Sequence, residues 1–184
     1  MAPEMEFGLL GPLIVRRDGI EIPVQRGKQR QLLAALLLNE GRLLSLDDLI
    51  AALWSAAPPS SARQSVQNCV MRLRHALGDA GRTRIITQPY GYSLCLNAGE
   101  LDLSRFEASL KDARAAAREG SWDAVAEHAR AALALWRGEP LADVDFGLLV
   151  SREVPRLAGC GCKRRKRPSK PRCGWAARGR RFRS

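Results

Sequence analysis

The chain has 184 residues, with 30 Lys and Arg against 19 Asp and Glu and a formal net charge of +11. Its longest uninterrupted apolar run, Leu32 to Leu38, has seven residues, against the roughly 20 needed to cross a bilayer, so neither a membrane span nor a membrane partner is expected. The charge is unevenly placed. Residues 159–184 hold 11 basic groups and no acid, residues 1–97 hold 11 basic and 8 acidic groups, and residues 98–158 hold 8 basic and 11 acidic. A local positive excess in the first stretch suits phosphate, and an acidic second stretch suits protein. Glu4 and Glu6 stand where a secretory leader would be basic and then apolar, so a cytoplasmic protein is expected. There the cysteines stay thiols, and Cys69 and Cys95 read as small buried or half-buried residues.

The chain opens on strands. Phe7 and Leu9, then Leu13 and Val15, alternate imperfectly; Pro12 marks an edge or bend, and the Asp18-Gly19 turn leads into Ile20, Ile22 and Val24. This pattern predicts a small antiparallel sheet. Arg26-Gly27-Lys28 then opens a helix carrying Leu32, Leu33, Leu36 and Leu37, which Gly41 closes, and Lys28 and Arg30 at its basic start are candidate phosphate contacts. Ser45 with Asp48 signals a second helix through Leu46, Leu49, Ile50, Leu53 and Trp54.

The stretch from Ser60 to Leu96 carries the functional signal. Pro58 and Pro59 stop what precedes, and Ser61 with Gln64 three residues on has capping-box spacing. Val66, Val70, Leu73 and Leu77 recur at spacings of four, three and four, an apolar stripe that must face a core. Opposite lie Gln64, Asn68, Met71 and His75, flanked by Arg63, Gln67 and Arg74 on one side and Ser65 and Arg72 on the other, with no acid on the face. Arg pairs bidentately with guanine or phosphate and Gln or Asn with adenine, so this is the composition that major-groove reading needs. An ordinary solvated helix face can have the same composition. Directly behind come Arg84-Ile85-Ile86-Thr87 and Tyr92-Ser93-Leu94-Cys95-Leu96 around Gln88-Pro89-Tyr90-Gly91, a hairpin placed as a wing would be, with Arg82, Arg84 and Tyr90 available to sugar and phosphate.

From Glu100 the character changes to Ala-rich helix. Ser104 with Glu107 has capping-box spacing, Phe106, Leu110 and Ala113 share a side, and Gly120 ends the helix. A second helix follows, capped by Ser121, with Trp122, Val125, Ala129, Ala132, Leu133 and Trp136 as its apolar face, and Gly138-Glu139-Pro140 stops it. The pair has the look of one tetratricopeptide-type unit, which cannot bury both faces alone and must lean on the winged helix, on Phe146 to Leu157, or on another chain.

Residues 5 to about 157 resemble the Streptomyces antibiotic regulatory proteins. The resemblance rests on Gly27-Lys28-Gln29-Arg30 with its Leu-rich helix, Asn39-Glu40-Gly41-Arg42, Leu53-Trp54, Pro58-Pro59-Ser60-Ser61-Ala62-Arg63, Arg72-Leu73-Arg74, Tyr90-Gly91-Tyr92, Leu135-Trp136-Arg137-Gly138 and Leu141-Ala142-Asp143. It implies an α+β chain: an OmpR-type winged helix-turn-helix over residues 1–97, then an all-α, tetratricopeptide-like part of a bacterial transcriptional activation domain over 98–158. By resemblance the role is activation of an antibiotic gene cluster by binding direct repeats in double-stranded promoter DNA, self-associating there and recruiting RNA polymerase. A helical protein-interaction module, or an activation-defective regulator that only competes for DNA, are the alternatives. The chain departs from the family after Glu153-Val154-Pro155-Arg156-Leu157, where the aperiodic, acid-free residues 159–184 are expected to be a frameshifted reading or an unstructured basic tail that adds non-specific DNA affinity.

No enzyme is expected. There is no phosphate-cradling Gly-rich loop and no metal-binding helix motif, and the two histidines, His75 and His128, fall on different predicted helices and read as surface residues. Cys160, Cys162 and Cys173 are three ill-spaced thiols, one short of a structural zinc set, so neither metal nor cofactor is expected.

Overall fold

The computed structural model describes residues 5–54 and 57–144. Strands β1 (Met5–Gly8), β2 (Ile14–Arg17) and β3 (Ile20–Glu21) form an antiparallel sheet in that order, with Phe7 opposite Val15 and Arg17 opposite Ile20. Asp18 and Gly19 both take positive φ at the β2–β3 turn, the conformation their residue types tolerate. Helices α1 (Lys28–Leu38), α2 (Leu46–Leu53) and α3 (Ala62–Ala76) follow. Strands β5 (Ile85–Gln88) and β6 (Gly91–Leu94) form the expected hairpin. A two-residue strand β4 (Leu44–Ser45) pairs with β6, so the hairpin belongs to a three-stranded sheet ordered β4-β6-β5. Helices α4 (Asp102–Arg118) and α5 (Trp122–Ala134) complete the described residues.

Helix α1 is apolar nearly all round, and such a helix belongs inside. Leu32 through Leu37 are all buried, packed between the first sheet, α2, α3 and the base of the hairpin. Val66, Val70, Leu73 and Leu77 close the core from α3, as their spacing requires. Leu101, Leu141 and Val144 join that same core from beyond the hairpin. A smaller cluster gathers around Leu10, which leaves the β1–β2 loop to pack on Phe106 and Ala132, with the Phe106 and Trp136 rings edge to face at 5.5 Å.

Several local expectations are corrected. The Ser45–Asp48 capping box is present in both directions. Ser61 stands at the N-cap of α3 but its hydroxyl does not cap: Ala62 donates to the Pro59 carbonyl, and the resulting turn sets Ser61 at φ −85°, ψ 8°, away from the extended angles typical of a capping residue. Gln64 instead donates to Asn68 Oδ1 at 3.2 Å. Helix α4 begins before Ser104, at Asp102, because a bridge from Leu101 to Phe7 fixes its entry, and the Ser104 hydroxyl donates to Glu40. Ser121 precedes α5 without a side-chain capping bond. Helix α1 ends at Leu38, and the Gly41 N–H donates to the Leu94 carbonyl rather than to α1. Cys95 is exposed, since it lies just beyond β6, whereas Cys69 is half-buried in α3. His128 is partly buried, and Trp122 and Leu133 face solvent at 71% and 58% exposure, so the apolar residues of α5 are wider than the one face it buries. Phe146 to Leu157, the basic tail and its three cysteines lie outside the described residues.

Candidate nucleic-acid interface

The outward face of α3 is built by what its inward face buries. With Val66, Val70 and Leu73 at 0–2% exposure, helical geometry sends Arg63, Gln64, Gln67, Asn68, Met71, Arg72 and His75 to solvent, and all seven are exposed. Met71, at 62%, is a large apolar side chain held in water, the kind of group that contacts a thymine methyl. Arg63, Arg72 and Arg82 enter none of the ion pairs among the described residues. Their charge is therefore uncompensated. Half-buried within α3, the Cys69 thiol is pushed up in pKa by burial, against the pull of Arg72 and Lys28, which leaves it protonated and inert.

The hairpin rises beside the C-terminal half of α3. Tyr90 stands at its tip at 80% exposure, and Arg82 is exposed in the approach to it. The tip is anchored from below. A Cβ on Gly91 would lie 1.9 Å from the Leu44 carbonyl oxygen, so only glycine lets β4 approach β6 this closely. Between hairpin and helix lies a cavity of about 440 Å³ lined by Gln67, Met71, Arg74, His75, Arg82 and Tyr92 among others. Five of the sequence-chosen side chains, Gln67, Met71, Arg74, His75 and Arg82, thus line one concave surface.

Four chosen cations are engaged elsewhere. Lys28 donates to the Leu53 carbonyl and lies 4.8 Å over the Trp54 ring, which ties the start of α1 to the end of α2. Arg30 donates to Val24 O and pairs with Asp143. Arg84 makes a two-pronged bond to Glu100, at 2.7 and 2.9 Å. Arg74 turns to the hairpin, donating to the Ile85 carbonyl at 3.1 and 2.6 Å and to Thr87 Oγ1 at 2.8 Å. In the sequence these four read as surface charges, Lys28, Arg30 and Arg74 on helices and Arg84 at the hairpin. Their partners, apart from Val24, lie at sequence separations no periodicity reveals.

Two acids that the sequence reading passed over organise the same region. Asp79, 5% exposed, accepts N–H bonds from Thr83, Arg84 and Ile85. An acid just past a helix end and four residues before Thr is a turn signal that could have found it. Glu100 accepts from Arg84, from the Asn97 amide N–H and from the Asn97 side chain. Burial pulls its pKa up, but the bonds from Arg84 and Asn97 outweigh burial and hold it below the ordinary carboxylate value, while the bond to Glu100 raises the Arg84 pKa. Among the described residues no group of three or more His, Cys, Asp or Glu is placed to hold a metal, and no helix is long and apolar enough to cross a membrane.

An exposed basic and amide helix face, a hairpin beside it, and an α-helical pair behind define a transcriptional regulator of winged-helix type. Two family descriptions agree: "Transcriptional regulatory protein, C terminal" matches residues 24–94 and "Bacterial transcriptional activator domain" matches residues 101–160. The chain belongs to the Streptomyces antibiotic regulatory protein type of transcriptional regulator. It is 42% identical over 146 residues to transcriptional regulatory protein EmbR of Mycobacterium tuberculosis, covering 77% of this chain and 38% of that one. It is 30% identical over 161 residues to regulatory protein DnrI of Streptomyces peucetius, covering 83% and 59%, and 40% identical over 141 residues to regulatory protein AfsR of Streptomyces coelicolor, covering 76% and 14%. A solved structure of M. tuberculosis EmbR in complex with a low-affinity phosphopeptide superposes with a TM-score of 0.81 at 38% identity, over 85% of this chain and 42% of that one. The chain therefore spans less than two thirds of the EmbR, DnrI and AfsR chains it matches. These relatives are named as regulators, which are not enzymes.

Proposed function

We propose that this chain binds double-stranded promoter DNA, with α3 in the major groove and the β5–β6 hairpin on the adjoining backbone. The observation that carries this reading is the exposed, acid-free face of α3, where Arg63, Gln67, Asn68, Met71 and Arg72 stand unpaired by any acid beside a hairpin with Arg82 and Tyr90 outermost. Gln64, Asn68 and His75 complete the face toward solvent. Arg63 and Arg72 supply bidentate donors to guanine or phosphate, the amides suit adenine, and Met71 suits a thymine methyl. Lys28, Arg30, Arg74 and Arg84 are left out of the contact set because each already holds intramolecular partners. The family role extends this to direct repeats upstream of antibiotic biosynthesis genes, occupied by more than one copy, with the helical pair meeting RNA polymerase. The exposed Trp122 and Leu133 on α5 support a protein-facing role for that pair.

The test is a fluorescence-anisotropy titration of the whole chain against duplexes carrying candidate promoter repeats and scrambled controls, at several salt concentrations. Binding should weaken steeply with salt, with a log–log slope of about −3 or steeper if Arg63, Arg72 and Arg82 each displace one phosphate counterion. Repeat duplexes should bind more tightly than scrambled ones. Absence of binding even at low salt refutes the reading.

A further inference from the structure

We infer that Arg74 and Asp79 are positioning residues that clamp the hairpin to α3 and so fix the angle between the two DNA-facing elements. The inference rests on the DNA-binding reading above. Strand β5 is at the edge of its sheet, so the backbone groups on its free side have no strand partner and, being buried, need one. Ile85, fully buried, has both groups answered by side chains. Its N–H donates to Asp79 Oδ2 at 2.9 Å, and its carbonyl accepts from Arg74 Nε at 3.1 Å and Nη2 at 2.6 Å. Arg74 reaches one step further to Thr87 Oγ1 at 2.8 Å. Asp79 also takes the N–H groups of Thr83 at 2.8 Å and Arg84 at 3.1 Å. One donor fork and one acceptor pair therefore replace the missing neighbouring strand, and both come from the last turn of α3 and the residues just after it.

The connection being braced is costly to hold. Gly78 and Arg82 both have positive φ between the end of α3 and the start of β5, and a non-glycine residue such as Arg82 keeps that conformation only where surrounding contacts fix it, so the brace helps to set the hairpin angle. A hairpin free to rock would have to be ordered when DNA binds, and that ordering weakens every complex regardless of sequence. The guanidinium of Arg74 thus acts on DNA through the hairpin, unlike Arg63 and Arg72, which have no such partner.

The experiment uses the whole chain with Arg74→Ala, Arg74→Lys, Thr87→Val and the hairpin variant Arg82→Ala/Tyr90→Ala, alone and combined, each checked for an unchanged fold by circular dichroism. Arg74→Ala should weaken binding roughly tenfold, the middle of the range for side chains coupled in one network, equally on repeat and scrambled duplexes and with the wild-type salt slope. In the Arg82→Ala/Tyr90→Ala background Arg74→Ala should have no further effect. Arg74→Lys should not restore binding, since one ammonium cannot serve a carbonyl and a hydroxyl in fork geometry. Thr87→Val, which leaves the guanidinium in place, should reproduce part of the loss and carries the test if Arg74→Ala does not fold. Relaxed discrimination between duplexes, or full additivity with the hairpin variant, overturns the inference in favour of base contact. Rescue by Lys in parallel with a shallower salt slope in Arg74→Ala overturns it in favour of phosphate contact. If wild type binds no DNA, the functional reading falls, and hydrogen exchange at the Ile85 amide then decides the clamp: faster exchange in Asp79→Asn upholds it and unchanged exchange overturns it.

Discussion

Replacing Asp102 by Ala should be among the most damaging single changes in the described residues. Its carboxylate accepts from the Leu9 N–H at 2.8 Å, from the Leu10 N–H at 3.0 Å and from Arg137 Nη2 at 3.1 Å, and Leu9 and Leu10 are fully buried. Removing it leaves two buried backbone donors without a partner, each at about 1–3 kcal/mol. The Arg137 side chain is 30% exposed, so water takes over part of that bond and its loss adds little. A fall of about 2–6 kcal/mol is expected, a large part of the roughly 5–15 kcal/mol that stabilises a typical domain. Asn keeps one acceptor oxygen, so Asp102→Asn should lose about half as much. Urea unfolding followed at far-ultraviolet circular dichroism, to which the first three helices and the α4–α5 pair contribute similar lengths of helix, and at tryptophan fluorescence, to which Trp54 on the first core and Trp136 against Phe106 both contribute, gives the measurement. Asp102→Ala should lower both midpoints or split them. A midpoint unchanged within about 0.5 kcal/mol, the scatter of neutral surface substitutions, would refute the claim that this carboxylate holds α4 to the β1–β2 loop.

Further outcomes follow from the same contacts. Glu100 has a folded-state pKa below its ordinary 4.5, so its stabilising effect is complete above that value and is lost as pH falls through the lower, folded-state pKa, with Arg84 charged throughout. Glu100→Gln should therefore be less stable than wild type at pH 7, and the gap should narrow progressively as pH falls below 4.5 in denaturant titrations across pH. Gly91→Ala should destabilise by about 3 kcal/mol, the upper end of overpacking costs, because its Cβ meets the Leu44 carbonyl at 1.9 Å; a thermal melt within a degree of wild type counts against the β4–β6 contact. Arg63→Ala or Arg72→Ala should lose about 1–3 kcal/mol of binding with relaxed discrimination where the residue reads a base, and should weaken all duplexes alike where it meets phosphate.

The helices and longer strands were legible in the sequence because each is set by local period and punctuation. The α3 stripe of Val66, Val70, Leu73 and Leu77, the Asp18-Gly19 turn and the Ser45–Asp48 box all lie where those signals put them. Strand β4 was not legible, since two residues carry no period and Leu44–Ser45 become a strand only by pairing with β6. The charged side chains were legible as a set but not one by one. Arg63 and Arg74 are alike on a helical wheel, and what separates them is that the Ile85 carbonyl comes within 3.1 Å of Arg74 in the folded chain. Arg30 is claimed in the same way by Asp143, and Arg84 by Glu100, both from the stretch read as a separate acidic helical part.

That stretch is bonded to the first 97 residues more closely than its composition suggests. Glu100, Asp102 and Asp143 all accept from groups before residue 97: the Arg84 guanidinium, the Leu9 and Leu10 amides, and the Leu13 amide with Arg30. Leu101, Leu141 and Val144 are buried in the same core as α1 and α3. A fragment ending at residue 97 therefore loses three core side chains, on the order of 5 kcal/mol of apolar burial, and leaves the Leu9, Leu10 and Leu13 amides and Arg30 without their carboxylates. It should melt well below a fragment ending at residue 144 and hold DNA more weakly at the same temperature, while retaining the same preference among duplexes, because α3 itself is present in both. Parallel thermal melts and titrations of the two fragments check this. Equal melting temperatures would show that the carboxylates and the three apolar side chains dock onto a core that is already complete without them.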